Sequence, residues 1–225
     1  MAARGEGLRV FYRGATGAMR VALVLLARWR VEGKGNVPPR GPLIIVANHL
    51  SFIDPPLVAA SVPRPIIFLA KRELFNHGLM GPFVRLYGAL EINREKARRE
   101  PLVKLLEHLG RDQAVGLFPE GTRSRGRMRK AKPGVALVAM KSGAPILPVG
   151  VHGSERVRGV RSLFTRPRIT VSIGPPFTLP VLEGPIGRAQ LTSMTDIIMR
   201  RIAAQLPPEY RGEYALESHE RVPTL

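Results

Sequence analysis

Apolar residues along this chain come in short blocks closed by glycine, proline or charge, and the blocks differ in period. PLIIVA at 42–47, IIFLA at 66–70, ALEIN at 89–93, AVGLFP at 114–119, PILPVGV at 145–151 and RITVSIG at 168–174 are short and mostly rich in β-branched residues. They predict six strands. Between them the period lengthens. PPLVAASV at 55–62 and LMGPFVRLYG at 79–88 read as short helices. REKARREPLVKLLEHLG at 94–110 places Leu102, Leu105, Leu106 and Leu109 on one face before Gly110, and VALVAMKSG at 135–143 ends on Gly143. Strand and helix in alternation predict an α/β fold, with a mixed, largely parallel central sheet covered by helices.

The two ends of the chain read differently. Residues 8–31 combine apolar side chains with Arg9, Arg13, Arg20, Arg28 and Arg30 at helical spacing, weakened at Gly14 and Gly17. This predicts an N-terminal basic amphipathic helix. Such a helix either packs on the domain or lies in a membrane interface, with arginines at lipid phosphates and Phe11, Leu25 and Trp29 in the acyl boundary. The interfacial placement divides the chain into residues 1–35, a membrane-associating helix, and residues 36–225, the α/β domain. VALVLLA at 21–27 is too short to span a bilayer, and no signal-peptide cleavage site follows it. The tail from Gln205 to Leu225 reads as polar and loosely ordered.

Composition narrows the function. With 225 residues, 44% of them hydrophobic, the chain supports one well-packed domain. It has no cysteine, which excludes disulfides, Cys-based zinc sites and a thiol acyl-enzyme. Lys and Arg number 35 against 17 Asp and Glu, a net charge of +18. Part of that surplus is explained by an arginine-rich composition. The rest calls for an anionic partner: nucleic acid, an acidic membrane or a phosphorylated substrate. Nucleic acid fits poorly, since only 6% of residues are aromatic and no helix-turn-helix, RNP or zinc pattern occurs. Nucleotide loops are also missing. GEGLRV and GKGNVP lack the third glycine of a dinucleotide fingerprint, and no GxxxxGK[ST] is present.

The candidate chemistry lies where predicted strands end, the usual place for function in an α/β sheet. NHLSFIDPP at 48–56 follows the first strand and sets Asp54 five residues after His49. Imidazole is suited to removing an alcohol proton near neutral pH, and a carboxylate accepting its other ring proton fixes the tautomer. A lone histidine is more often structural, and the aspartate is what changes the balance. FPEGTRSRGRMRKAKPG at 118–134 follows the fourth strand. There Gly121 allows close backbone approach, Thr122 and Ser124 offer hydroxyls, and Arg123 offers a bidentate fork for phosphate. Six of the ten residues from Arg123 to Lys132 are basic, enough to meet a larger anion. His77, His108, His152 and His219 have no comparable partner pattern.

NHLSFID and PEGTRS resemble the NHxxxxD and EGTR motifs of the glycerolipid acyltransferase family, the bacterial 1-acylglycerol-3-phosphate acyltransferases in particular. GALEINR at 88–94 is similar to the family's arginine-bearing second motif and APILPV at 144–149 to its proline-bearing fourth, with order and spacing kept from about residue 43 to 150. The resemblance implies transfer of a fatty acyl group from a thioester, acyl-CoA or acyl carrier protein, to a hydroxyl of lysophosphatidic acid. On that reading His49 takes the proton and Asp54 orients it. Arg94, Glu120, Gly121, Thr122 and Arg123 bind the glycerol phosphate, and Pro148 shapes the site. Asn93 departs from the acidic residue common before the motif's arginine, which leaves glycerol 3-phosphate or another lysolipid as alternative acceptors. Ser51 is a poor nucleophile candidate, and Lys71 is a candidate oxyanion donor beside backbone amides. The family reading needs no metal or cofactor, and it places the protein peripherally on the cytoplasmic face of an anionic cell membrane. A non-catalytic membrane-binding scaffold is the rival from another class, although it would have no use for His49, Asp54 and Arg123 together.

Overall fold

The computed structural model describes residues 2–76, 78, 80–87, 89–92, 100–124, 126–157, 161–180 and 186–215. Seven strands form one sheet among them: β1 (Arg28–Glu32), β2 (Leu43–Ala47), β3 (Ile66–Lys71), β4 (Leu90–Ile92), β5 (Ala114–Leu117), β6 (Ile146–His152) and β7 (Arg168–Ile173). Their order is β1-β7-β6-β2-β5-β3-β4. Every neighbouring pair is parallel except β6 and β7, where Val151 lies opposite Val171. The six predicted strands are present, and the fold class is the predicted one.

β2 is the central strand, and all five of its residues are buried. A parallel strand covered on both faces has no polar side, so LIIVA reads as an unbroken apolar run. Its pleat divides the core. Leu43, Ile45 and Ala47 join one cluster with residues of α1 (Ala2–Leu26) and α2 (Asp54–Ser61). Ile44 and Val46 join another with residues of α5 (Glu100–Leu109), α6 (Gly134–Ser142) and α8 (Arg188–Ala203). The short helices α3 (Arg72–Phe75), α4 (Met80–Leu86) and α7 (Ser162–Thr165) complete the set. Among the described residues no helix is long and apolar enough to cross a membrane.

Three expectations change. The helical pattern at residues 8–31 ends early, because Arg28–Glu32 pairs with β7 as strand β1. RWRVE alternates, with Trp29 and Val31 half-buried and the charged residues outward, a period of two hidden among arginines that also fit a helix. The sheet therefore begins before residue 36, and Trp29 packs on the core rather than in lipid. Helix α8 was not predicted at all, although Met194, Ile198, Met199 and Ile202 make a buried face. Finally, residues 205–215 are packed, with Leu206, Tyr210 and Tyr214 buried. A methyl group on Gly150 would come within 2.5 Å of the Gln205 carbonyl oxygen, so the glycine is what lets this segment lie on β6. Residues 216–225 fall outside the described set.

Helix α1 is tied to the domain along one side. The Ile66 amide donates to the Tyr12 hydroxyl at 3.1 Å, Arg20 Nε donates to the Ala60 carbonyl at 3.0 Å, and Leu23 and Ala27 are buried.

Candidate active site

β2 delivers the site from the middle of the sheet. Past its last residue, the buried Asn48 side chain takes over from the backbone. Its Nδ2 donates to the Val151 carbonyl and its Oδ1 accepts from the Val151 amide, both at 2.8 Å. The strand is thereby prolonged by one pairing step, and His49 emerges just beyond it. Nothing in the sequence of NHLSFIDPP marks Asn48 for this role. Its amide is an isostere of the peptide group, which is why it can replace one.

Asp54 opens α2, where Pro55 and Pro56 are tolerated because the first turn needs no donors from them. Its Oδ2 accepts from His49 Nδ1 at 2.9 Å, from the Leu50 amide at 2.6 Å and from the Ser51 amide at 2.7 Å. A carboxylate can only accept, so Nδ1 carries the proton and Nε2 keeps the lone pair. Asp54 is fully buried, whereas the His49 side chain keeps 17% of its surface. The imidazole also stacks on Phe118, with ring centres 4.3 Å apart. Orientation and tautomer are therefore set together.

The second motif grips the first. Glu120 accepts from the His49 amide on Oε1 and from the Arg129 amide on Oε2, each at 3.0 Å. The Ser124 amide and hydroxyl donate to the His49 carbonyl at 2.8 and 3.2 Å. Glu120 was expected among the phosphate ligands. Instead its carboxylate is buried behind the cavity with both oxygens occupied, and a carboxylate facing phosphate would repel it. Burial raises its pKa above the ordinary 4.5, against the opposing pull of the two amides.

Gly121, Thr122 and Arg123 do line the cavity, and the Arg123 guanidinium lies 3.3 Å from the centre of the Phe52 ring. Gly121 has φ of 69°, and a methyl group there would come within 3.3 Å of the Lys132 side chain. Lys132, read from sequence only as the end of a basic run, thus lies against Gly121, anchored by its amide to the Pro119 carbonyl at 3.0 Å. Arg94, Asn93, Arg125, His77 and His219 lie outside the described residues, and Lys71 is described only as the last residue of β3. Pro148 lies in β6 opposite Val46, away from the cavity wall.

The cavity has a volume of about 350 Å³. Its lining includes His49, Thr122 and Arg123 and an apolar wall of Phe68, Leu69, Ala70, Leu74, Val84 and Tyr87. Gly116 in β5 makes room for that wall, since a methyl group on it would meet the Phe68 ring at 2.3 Å. His49 therefore shares one cavity with both polar and apolar side chains. Among the described residues no three His, Asp or Glu side chains converge to hold a metal ion.

The family model for Acyltransferase matches residues 28–152, a span from β1 through β6 that contains His49, Asp54 and the loop after β5. The chain belongs to the acyltransferase family. It is 28% identical over 215 residues to the 1-acyl-sn-glycerol-3-phosphate acyltransferase of Streptococcus pneumoniae, covering 92% of this chain and 74% of that one. To the Bacillus subtilis protein of the same name it is 26% identical, covering 85% of this chain and 94% of that one. Its fold matches the crystal structure of the 1-acyl-sn-glycerophosphate acyltransferase of Thermotoga maritima with a TM-score of 0.67 at 25% identity, over 91% of this chain and 83% of that one.

In this acyltransferase the loop after β5 is supported from far along the chain. The Met128 amide donates to the Tyr210 carbonyl at 2.9 Å, and the Ala131 amide donates to the Tyr214 hydroxyl at 3.2 Å. Gly212, with φ of 55°, lies so close to the Met128 backbone that a methyl group there would sit 2.1 Å from the Met128 carbonyl oxygen. No sequence motif announced this support. Two buried tyrosines in a polar tail were the only hint.

Proposed function

We propose that this acyltransferase moves a fatty acyl group from an acyl thioester to the sn-2 hydroxyl of 1-acylglycerol 3-phosphate, making phosphatidic acid for phospholipid biosynthesis. The observation that carries this reading is the mixed lining of the cavity, which divides between polar His49, Thr122 and Arg123 and an apolar wall. An acceptor with one phosphate and one acyl chain is divided in the same way. The names borne by the relatives support the same acceptor.

His49 Nε2 takes the proton of the sn-2 hydroxyl as its oxygen attacks the thioester carbonyl, and Asp54 stabilises the imidazolium that forms. The new C–O bond forms, the C–S bond breaks, and the thiolate leaves with the proton that His49 returns. With no cysteine in the chain, direct transfer is the simpler course, and it requires no resident metal or cofactor because a thiolate is already a good leaving group. Thr122, Arg123 and Lys132 receive the phosphate, with Arg94 as a further ligand, and Lys71 is the candidate donor to the oxyanion. Exposed Arg127, Arg129 and Lys130 suit the anionic donor, whether acyl-CoA or acyl carrier protein. The acceptor is a membrane lipid and the donor carries a long acyl chain, and the protein works peripherally at the cytoplasmic face of an anionic membrane, with α1 in contact with it.

The test is thiol release from oleoyl-CoA with 1-acylglycerol 3-phosphate, comparing wild type with His49→Ala. Release that requires the acceptor and falls by about 10²–10⁴-fold in the folded variant supports the reading. Release with glycerol 3-phosphate alone would reassign the acceptor. Release unchanged in His49→Ala would remove the base.

A further inference from the structure

We infer that α7 and the last turns of α1 form one footprint for an anionic lipid surface, a second membrane contact separate from the first half of α1. Val21, Val24 and Leu25 of α1 expose 59–61% of their surface, and Phe164 of α7 exposes 88%. These are apolar side chains left largely exposed, and the two helices that carry them touch. Arg166 joins them: it closes α7 with φ of 37°, and its Nη2 donates to the Val24 carbonyl at 3.0 Å.

Charge selects the occupant. No acidic residue occurs from Gly7 to Val31 or from Arg156 to Leu182, the two segments that supply the footprint. Arg28, Arg161, Arg166 and Arg168 are exposed on them. Apolar side chains at the centre with arginines around them match acyl chains beneath a layer of phosphates. A second copy of this chain would bring the same positive charge and be repelled.

Topology then sets the direction in which the protein sits. β7 runs antiparallel to β6, and β6 runs parallel to β2, so β7 begins at the end of the sheet where β2 stops. β1, parallel to β7, begins there too. α1 and α7 finish just before those two strands and therefore lie at the end that carries His49. Seating the footprint brings the mouth of the cavity to the lipid pool, and to this extent the inference rests on the proposed lipid substrates.

Because the chain has no cysteine, Phe164→Cys supplies a single thiol for a polarity-sensitive fluorophore. The control is Lys141→Cys, exposed at the end of α6 just before β6 begins, on the opposite end of the sheet. With vesicles of phosphatidylcholine and phosphatidylglycerol, emission from position 164 shifts to the blue and is quenched by brominated acyl chains, while position 141 is unaffected. Phe164→Asp, checked for folding by circular dichroism, lowers partition to those vesicles about ten-fold. A label at 164 that stays in water while the protein sediments with the vesicles would overturn the footprint. So would equal responses at both positions, or a blue shift without vesicles accompanied by dimer formation. Acyl transfer by unlabelled wild type is measured separately, so failure of the footprint and failure of the proposed reaction give different results.

Discussion

The loop at residues 48–54 and the loop at residues 118–132 meet at His49, yet they are held by contacts of different range. In the first, Asp54 reaches back to the Leu50 and Ser51 amides and to the His49 ring, all within five residues. In the second, the near contacts are few, and the Met128 and Ala131 amides depend on Tyr210 and Tyr214, the latter 83 residues away. Closing a short loop costs little entropy, so the base can be set by its own neighbours. The second loop gains its Met128 and Ala131 contacts only when residues 210–214 have folded against it. His49 and the loop at residues 118–132 thus have separate supports, with Glu120 as the link between them.

The hardest test of that separation is Asp54→Asn. The amide presents a donor where three donors already converge, so the tautomer of His49 is lost. We expect kcat to fall by about 10²-fold or more with the acceptor KM nearly unchanged. A raised KM with kcat preserved would mean that the first loop does not hold the base.

Glu120→Gln tests the link. One of the two amides loses its acceptor, and we expect stability to fall by about 1–3 kcal/mol and kcat by about ten-fold. Acceptor KM should rise as well, since Arg129 loses its tie. The pH dependence has a definite sign. Because burial raises the folded pKa of Glu120 above 4.5, its protonation favours the fold. That contribution is full below 4.5 and is lost as pH rises through the raised value. Urea denaturation at several pH values should therefore show the gap between wild type and E120Q narrowing as pH rises through that window.

The smallest effect is expected for Tyr214→Phe, which removes only the acceptor for the Ala131 amide. Loosening the second loop should raise the acceptor KM about two- to five-fold and leave kcat alone. A fall in kcat of the same size would show the two loops to be one unit.

The same contrast of range decides what was legible beforehand. The six predicted strands and the His49–Asp54 pair were readable because each is written within a few consecutive residues. β1 was misread as helix because its arginines satisfy both periods and its partner, β7, lies far along the chain. α8 was missed because Arg200 and Arg201 interrupt an apolar face that only the second core reveals. Glu120 was read as a phosphate ligand, whereas its carboxylate takes the His49 and Arg129 amides, and composition cannot say which way a carboxylate turns. Lys132 had been one cation among six.

From the sequence by itself came the alternating α/β architecture, the exclusion of thiol chemistry, the positive charge and the placing of His49, Asp54 and the loop at residues 118–132 at strand ends. These follow from periodicity and residue chemistry, which need no partner to be read. The tertiary structure alone decided that Asn48 extends β2, that Glu120 braces His49 rather than meeting substrate, and that Tyr210 and Tyr214 support the anion loop. It also decided that α7, which carries Phe164, lies against α1 at the His49 end of the sheet. Each depends on which way a side chain points once distant strands have paired, and that direction is fixed by packing across the sheet rather than by neighbours in the chain.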